Sequence, residues 1–375
     1  MTFDQLILEA SSRGASDIHL RADHVPLVRV DGLLERWMHV APVSGASLEA
    51  VATRVLSPLH QTQLQTRMEV DVAWQAPNVG RIRASVFRQR GSIAISMRLI
   101  PAQIPTPEAL GLPPSVINLA TESRGLVLVT GATGSGKSTT LAALVDLINR
   151  TRALHILTIE DPIEFVHPDQ LAVVTQREVG FDTLEYANGL RSALRQDPDV
   201  ILIGEMRDME TIETALIAAE TGHLVLSTLH TLDAPETINR IIAVFPPHQQ
   251  NQVRHQLSRV LKAAVSQRLL PRADGRGRVL ACEVLIATAL VRDCIADPEK
   301  TSGISQAIVQ GGIQYGMQNF DQAILALCKE TLVTVEEATK WVTNVEEFKM
   351  RLRGITPGSA AAPVGNRAEI QRFGT

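Results

Sequence analysis

Gly131-Ala132-Thr133-Gly134-Ser135-Gly136-Lys137-Ser138 is the stretch on which the reading of this chain turns. It matches G-x-x-x-x-G-K-[ST], follows an apolar run at 126–130, and precedes a helical pattern carrying Leu141, Leu144, Val145 and Ile148. Strand, glycine-rich loop and helix in that order are the context a phosphate-binding loop requires. Glycines let successive backbone N–H groups wrap a phosphate, and a helix N-terminus adds the positive end of its dipole. An ordinary glycine-rich turn needs neither the strand nor the Lys-Ser pair. Gly131, Ala132, Thr133, Gly134, Ser135 and Gly136 therefore read as the cradle for the phosphates of ATP. Lys137 reads as the cation for the β- and γ-phosphates, and Ser138, with Thr139 beside it, as the hydroxyl for Mg2+.

Three further short apolar runs lie at 156–159, 200–203 and 224–228, with helical patterns in the intervals between them. Runs apolar on both faces predict a parallel sheet covered on both sides, with chemistry at the carboxyl ends of the strands. Polar residues do gather there. The second run ends in Glu160-Asp161-Pro162-Ile163-Glu164. Carboxylates beside a phosphate loop suit water-mediated Mg2+ binding or orientation of an attacking water, against the alternative of a solvated acidic turn. The third run ends in Gly204-Glu205-Met206-Arg207-Asp208, a Walker B pattern with glycine where many P-loop ATPases carry aspartate. Glu205, the first acid, becomes the candidate for polarising the nucleophilic water and a further metal contact. Arg207 and Asp208 read as caps of the next helix. His223 and His230 bracket the fourth run, and His230, at its carboxyl end, is placed to sense the γ-phosphate. No third and fourth ligand at zinc spacing accompanies them.

The first hundred residues predict a small mixed α/β unit. A helix is expected near 2–11, strands at 16–20 and 27–30, a hairpin turn at Asp31-Gly32, and a helical stretch at 48–64 interrupted at Pro58. Alternating runs at 69–75, 81–87 and 93–100 predict an antiparallel sheet. Arg81, Arg83, Arg88, Arg90 and Arg98 crowd its end. A solvated sheet face is the default reading. The sharper one is a set of arginine fingers, with Arg83 and Arg98 as nucleotide-binding candidates. Five prolines at 101–114 mark a linker. From 115 to 353 a single ATPase domain is expected, with helices at 253–270, 320–327 and 335–342, followed by a disordered tail at 354–375.

At 375 residues the chain is long enough for two domains. Its 3 Trp, 2 Tyr and 8 Phe leave few platforms for stacking bases, and a net charge of −4 gives no general attraction for polyanions. Both lower the case for a DNA-translocating motor. Three cysteines without a C-x-x-C pair argue against a disulfide framework or a four-thiolate zinc site, and predict buried thiols in a reducing compartment. No run approaches the ~18 apolar residues of a membrane span, and the N-terminus lacks a signal-peptide pattern. A cytoplasmic protein is expected, with any membrane association peripheral.

Together these boxes resemble the secretion ATPase superfamily of type II secretion and type IV pilus motors, and within it the twitching-motility retraction ATPases, the PilT/PilU group. Ser16-Asp17-Ile18-His19-Leu20 resembles the N-terminal S-D-[IL]-H-[LI] element of that group, and 266–272 and 316–322 are similar to family segments. The resemblance spans roughly 3–345. It implies an α/β fold with a PAS-like α+β domain followed by a RecA-like P-loop ATPase domain, assembled as a hexameric ring. It implies ATP hydrolysis with Mg2+ that powers pilus retraction. By similarity Glu205 is the catalytic acid, with Glu164 as an alternative or helper and Lys137 and His230 completing the set, while His223 and His230 link nucleotide state to domain position. The implied metal contacts are Ser138, Glu160, Asp161, Glu164 and Glu205. The implied partners are further copies of the chain, an inner-membrane pilus platform protein and a paralogous pilus ATPase, with no nucleic acid. The implied location is the cytoplasmic face of the inner membrane. The tetracysteine element of extension motors is absent from the sequence. The retraction enzymes' A-I-R-N-L-I-R-E element corresponds to Ala289-Leu290-Val291-Arg292-Asp293-Cys294-Ile295-Ala296, which departs from it. The alternatives are an accessory PilU-like or weakly hydrolysing regulatory subunit of the pilus motor, or a related secretion-system ATPase.

Overall fold

The computed structural model describes residues 1–30, 32–100 and 103–354. Asp31 of the expected turn, Pro101 of the linker and 355–375 of the expected tail lie outside the described residues.

Thr2 opens the first helix through a capping box. Its hydroxyl accepts from Gln5 N at 3.3 Å while Gln5 Oε1 accepts from Thr2 N at 2.8 Å. This helix, α1 (Phe3–Ser12), precedes β1 (Ala15–Arg21), β2 (Leu27–Val30) and β3 (Leu33–Arg36). Next come α2 (Gly45–Val55) and α3 (Pro58–Arg67), separated where Ser57 caps the second and Pro58 takes its first turn. β4 (Glu69–Ala76), β5 (Gly80–Gln89) and β6 (Ser92–Leu99) complete an antiparallel sheet of order β3-β2-β1-β6-β5-β4. Ile18, Leu20, Val28, Ile82, Val86, Ile95 and Met97 alternate onto one core with Ile7 of α1 and Leu48 of α2. Burying a large aliphatic side chain of this kind stabilises by ~1.5–3 kcal/mol.

The chain continues through α4 (Pro114–Ile117), β7 (Gly125–Thr130), α5 (Lys137–Thr151), β8 (His155–Glu160), β9 (Val173–Glu178), α6 (Tyr186–Ala193), β10 (Val200–Ile203), α7 (Met209–Glu220) and β11 (Leu224–Leu229). It ends with α8 (Ala234–Ala243), α9 (Pro247–Val260), β12 (Leu261–Pro271), β13 (Arg278–Ile286), α10 (Ala289–Ala296), α11 (Ile304–Gln310), α12 (Gly312–Tyr315), α13 (Phe320–Lys329), α14 (Val335–Ala338) and α15 (Val345–Leu352). Seven strands form the second sheet, in the order β13-β12-β7-β11-β10-β8-β9. β8 pairs parallel with β9 and β10, β7 parallel with β11 and β12, and β13 antiparallel with β12. Every residue of β7, β10 and β11 is buried, which is why their sequence runs show no alternation.

The helix expected over 253–270 is corrected. α9 stops at Val260 and the chain runs on as β12, which carries Arg268 near its carboxyl end rather than at a helix end. Leu261, Val265 and their neighbours fit helical spacing, but β12 lies between β7 and β13 and is buried for most of its length. Ladder hydrogen bonds on both edges outweigh local preference there.

By internal packing the residues fall into two compact units. One comprises Met1–Thr106 and Ser138–Gly204, the other Pro107–Lys137 and the described residues from Glu205 onward. Cys282, Cys294 and Cys328 are all buried. Among the described residues no helix is long and apolar enough to cross a membrane.

Candidate nucleotide site

β7 ends at Thr130, whose hydroxyl donates to Ser266 Oγ of β12 at 3.0 Å. The chain then turns through Gly131 at φ 140°. A Cβ there would lie 2.6 Å from the Gln267 carbonyl oxygen and 2.6 Å from Ser135 Oγ, so only glycine fits. Lys137 folds back over the loop and donates from Nζ to the carbonyls of Gly131 at 2.8 Å and Ala132 at 3.1 Å. Ser135 Oγ is buried and makes no hydrogen bond within the protein. A buried polar atom left in that state costs ~1–3 kcal/mol, and a hydroxyl so placed suits a phosphate oxygen. Ser138 is exposed and Thr139 half-buried at the start of α5. Arg278 of β13 brings its guanidinium to 3.5 Å from the Gly134 carbonyl, a cation beside the loop that the sequence reading missed.

Glu205 and His230 belong to the same unit as this loop. Glu205 Oε2 is held by Arg207 Nε at 2.7 Å and lies 3.3 Å from His230 Nε2. The strand ends bring these side chains together, because Met206 N donates to the Thr228 carbonyl of β11 at 3.1 Å. Of the two expected caps only Asp208 acts as one, accepting from Thr211 N and from Thr211 Oγ1, each at 2.8 Å. Arg207 instead clamps the acid.

The two histidines separate. β11 runs parallel to β7, with Leu224 opposite Gly125 and Leu229 opposite Thr130. His230 therefore emerges at the loop end and His223 at the other, about 23 Å away at ~3.3 Å per residue. His223 Nδ1 lies 2.9 Å from the Ala218 carbonyl. The structure does not bring His223 to the phosphate loop of its own chain.

The acids after β8 lie in the other unit. Glu160 Oε1 accepts from Thr158 Oγ1 at 2.6 Å and Gln176 Nε2 at 3.0 Å. Burial raises its pKa above the usual carboxylate range, against the pull of those two hydrogen bonds. A carboxyl held toward its protonated form is a weaker cation ligand than the exposed Asp161 and Glu164 that follow it. Among the described residues no three His, Cys, Asp or Glu side chains gather as a metal site. Mg2+ commonly takes only one or two protein ligands and completes its shell with phosphate oxygens and water, so Ser138 with these exposed acids still fits it. Gly204 also finds its explanation here. A Cβ on it would lie 2.9 Å from Tyr186 Oη, 3.4 Å from Glu160 Cα and 3.4 Å from the Ile159 carbonyl oxygen. The usual aspartate has no room.

Arg83 and Arg98 face each other across β5 and β6, and the row extends through Asp17 of β1 to Arg29 of β2. Arg98 Nε donates to Asp17 Oδ1 at 3.0 Å, and Arg29 Nε lies 3.7 Å from Asp17 Oδ2. Two guanidinium groups share one carboxylate, and Arg83 stands next in the row. Like charges directly opposite in a ladder are unfavourable, so the row has spare capacity for an anion. Asp17 and Arg29 were not among the expected site residues. The S-D-I-H-L element held the signal for Asp17.

The family described as Type II/IV secretion system protein matches residues 1–311. The chain is 42% identical over 348 residues to the type IV pilus retractation ATPase PilT of Pseudomonas aeruginosa, covering 93% of this chain and 100% of that one. It is 39% identical over 358 residues to the type IV pilus ATPase PilU of the same organism, covering 94% and 92%. Among solved structures, the pilus retraction motor PilT with bound ADP superposes with a TM-score of 0.85 at 46% identity, covering 92% of this chain and 98% of that one.

Proposed function

The chain belongs to the type II/IV secretion system protein family, and on that premise we propose that it is an ATPase motor that powers type IV pilus retraction with Mg2+ as its cofactor. One arrangement carries the reading. A phosphate loop with a buried, unpartnered Ser135 hydroxyl and a tethered Lys137 shares a unit with Glu205, which Arg207 and His230 grip.

Phosphoryl transfer asks a protein for positioning and charge stabilisation rather than covalent chemistry. The loop N–H groups and Ser135 Oγ donate to phosphate oxygens, and Lys137 exchanges its two carbonyl contacts for the β- and γ-phosphates. Glu205 orients the attacking water and takes up its proton, with Glu164 as helper. His230, within reach of the same carboxylate oxygen as Arg207, reports γ-phosphate occupancy to the acid. Mg2+ would supply charge neutralisation, and Ser138, Asp161, Glu164 and Glu205 are the residues that would hold it, directly or through water. Arg83 and Arg98 stabilise the transferring phosphoryl group, from the same copy or a neighbour. His223, at the far end of β11, serves the link between nucleotide state and domain position. The motor works as a hexameric ring, with a PAS-like domain at 1–100 and an ATPase domain at 115–353 moving about the segment 101–114. It acts on an inner-membrane platform protein at the cytoplasmic face, beside a paralogous ATPase.

The test is ATP hydrolysis by the purified chain. Lys137→Ala and Glu205→Ala each lower turnover by roughly 100-fold or more, and unchanged turnover in both refutes the site. Complementation of a retraction-deficient strain then tests the motor role. The similarity to PilU and the departure at 289–296 motivate an accessory subunit as the second reading. It predicts hydrolysis in vitro without retraction by this chain alone.

A further inference from the structure

Glu178, the last residue of β9, carries a carboxylate whose side chain is 3% exposed. A carboxylate so buried must be paired or hydrogen-bonded. Its Oε2 takes two partners. Arg81 Nη2, from β5 of the N-terminal sheet, donates at 2.6 Å, and the backbone N–H of Ile163 donates at 3.2 Å. Ile163 lies in the turn that follows β8, itself buried, and the next residue is Glu164. The same glutamate fixes the far side of the β9 loop. Its N–H donates to Asp182 Oδ2 at 2.8 Å, and its carbonyl accepts from Asp182 N at 2.8 Å. Arg81 and Arg83 are two residues apart on β5 and so share a face of the N-terminal sheet.

We propose that Arg81 and Glu178 are a positioning pair, which uses the N-terminal sheet to hold the acidic turn bearing Glu164 in its hydrolysis-competent place. The pair rests on the ATPase reading above and names the contact through which the arginine-bearing sheet controls that site. Without Arg81, Glu178 is a buried carboxylate left with one backbone donor on that oxygen. It then turns away from its pocket, and the Ile163 N–H loses its anchor. A displacement of about 1 Å at a reacting group costs up to ~100-fold in rate, so the effect falls on turnover. The phosphate loop and its contacts are untouched, so nucleotide affinity is spared.

Two measurements on the full-length protein test this, with Arg81→Ala, Arg81→Lys, Glu178→Gln and the Arg81→Ala/Glu178→Gln double variant. The first is amide hydrogen exchange at Ile163. Arg81→Ala raises it at least ~10-fold, and Arg81→Lys restores most of the protection. Unchanged protection in Arg81→Ala overturns the proposal whether or not the protein hydrolyses ATP. The second is steady-state ATP hydrolysis alongside binding of a fluorescent ADP. kcat falls ~10–100-fold in Arg81→Ala and in Glu178→Gln while ADP affinity stays within about threefold. The double variant is no worse than either single one. A kcat within twofold of wild type in Arg81→Ala, or losses that multiply in the double variant, overturns the link to hydrolysis. A wild-type protein that hydrolyses no ATP removes the function proposed above and leaves the exchange result to decide the pair.

Discussion

Gly204 stands where an acid closes the equivalent strand in many P-loop ATPases, and the space around it accounts for the exchange. The Tyr186 hydroxyl and the end of β8 close over its Cα. Gly204→Asp should therefore destabilise the protein by about 1–3 kcal/mol through overpacking, without supplying a working metal ligand. Urea unfolding measures this, and an unshifted midpoint with raised turnover would show that the site accepts the aspartate after all. The phosphate loop and Glu205 were legible in the sequence because their chemistry is local, with every required residue within a few positions of a strand end. The contacts that discipline them were not. Arg81 lies 97 positions from Glu178, and Arg98 lies 81 from Asp17. A single sequence names the arginines but cannot assign their acids. Arg207 shows the same limit at short range, since capping and clamping look alike until the side chain's direction is known.

At the scale of elements, burial pattern decided what could be read. β7, β8, β10 and β11 announce themselves as short apolar runs. β9 has the half-polar sequence Val-Val-Thr-Gln-Arg-Glu and a mostly half-buried edge position, so it shows no such signal. β12 misleads in the opposite sense, with helical spacing overridden by two ladder partners. Helix starts were clearer, and α7 allows a direct test. Asp208 caps it with two 2.8 Å contacts to Thr211. Asp208→Ala is expected to cost ~1 kcal/mol, seen as a lower unfolding midpoint, with turnover within about twofold because Arg207 still reaches Glu205. A large loss of turnover at unchanged stability would instead make Asp208 part of the chemistry.

For the molecule as a whole, two buried groups set opposing responses to pH. Burial lowers the pKa of His167 to about 4, against the attraction of Asp146. Unfolding lets it gain a proton below its ordinary value of 6.5, so its stabilising contribution is present above that pH and is lost as pH falls toward 4. Burial raises Glu283 to about 7, against a hydrogen bond from Ala234 N, with the Asp233 charge adding to the rise and Arg268 opposing it. Its contribution is complete below the ordinary value of 4.5 and is lost as pH rises through about 7. Between those limits the two slopes oppose each other, each near 1.4 kcal/mol per pH unit at most. Global stability should change little with pH from these groups in wild type, rise with pH in Glu283→Gln, and fall with pH in His167→Gln. Urea titrations at pH 5, 6 and 7 check this, and parallel profiles in all three proteins would refute it.

The three buried cysteines have a practical consequence. Burial pushes the Cys282 thiol up to about 12 and raises Cys294 and Cys328 as well. Thiolate is the reactive form, so the native surface presents almost none of it. A cysteine introduced at Leu184, which is 82% exposed, would be the one fast-labelling position on the folded chain. Fluorophores or spin labels can then follow the protein as nucleotide is added, with every native cysteine left in place.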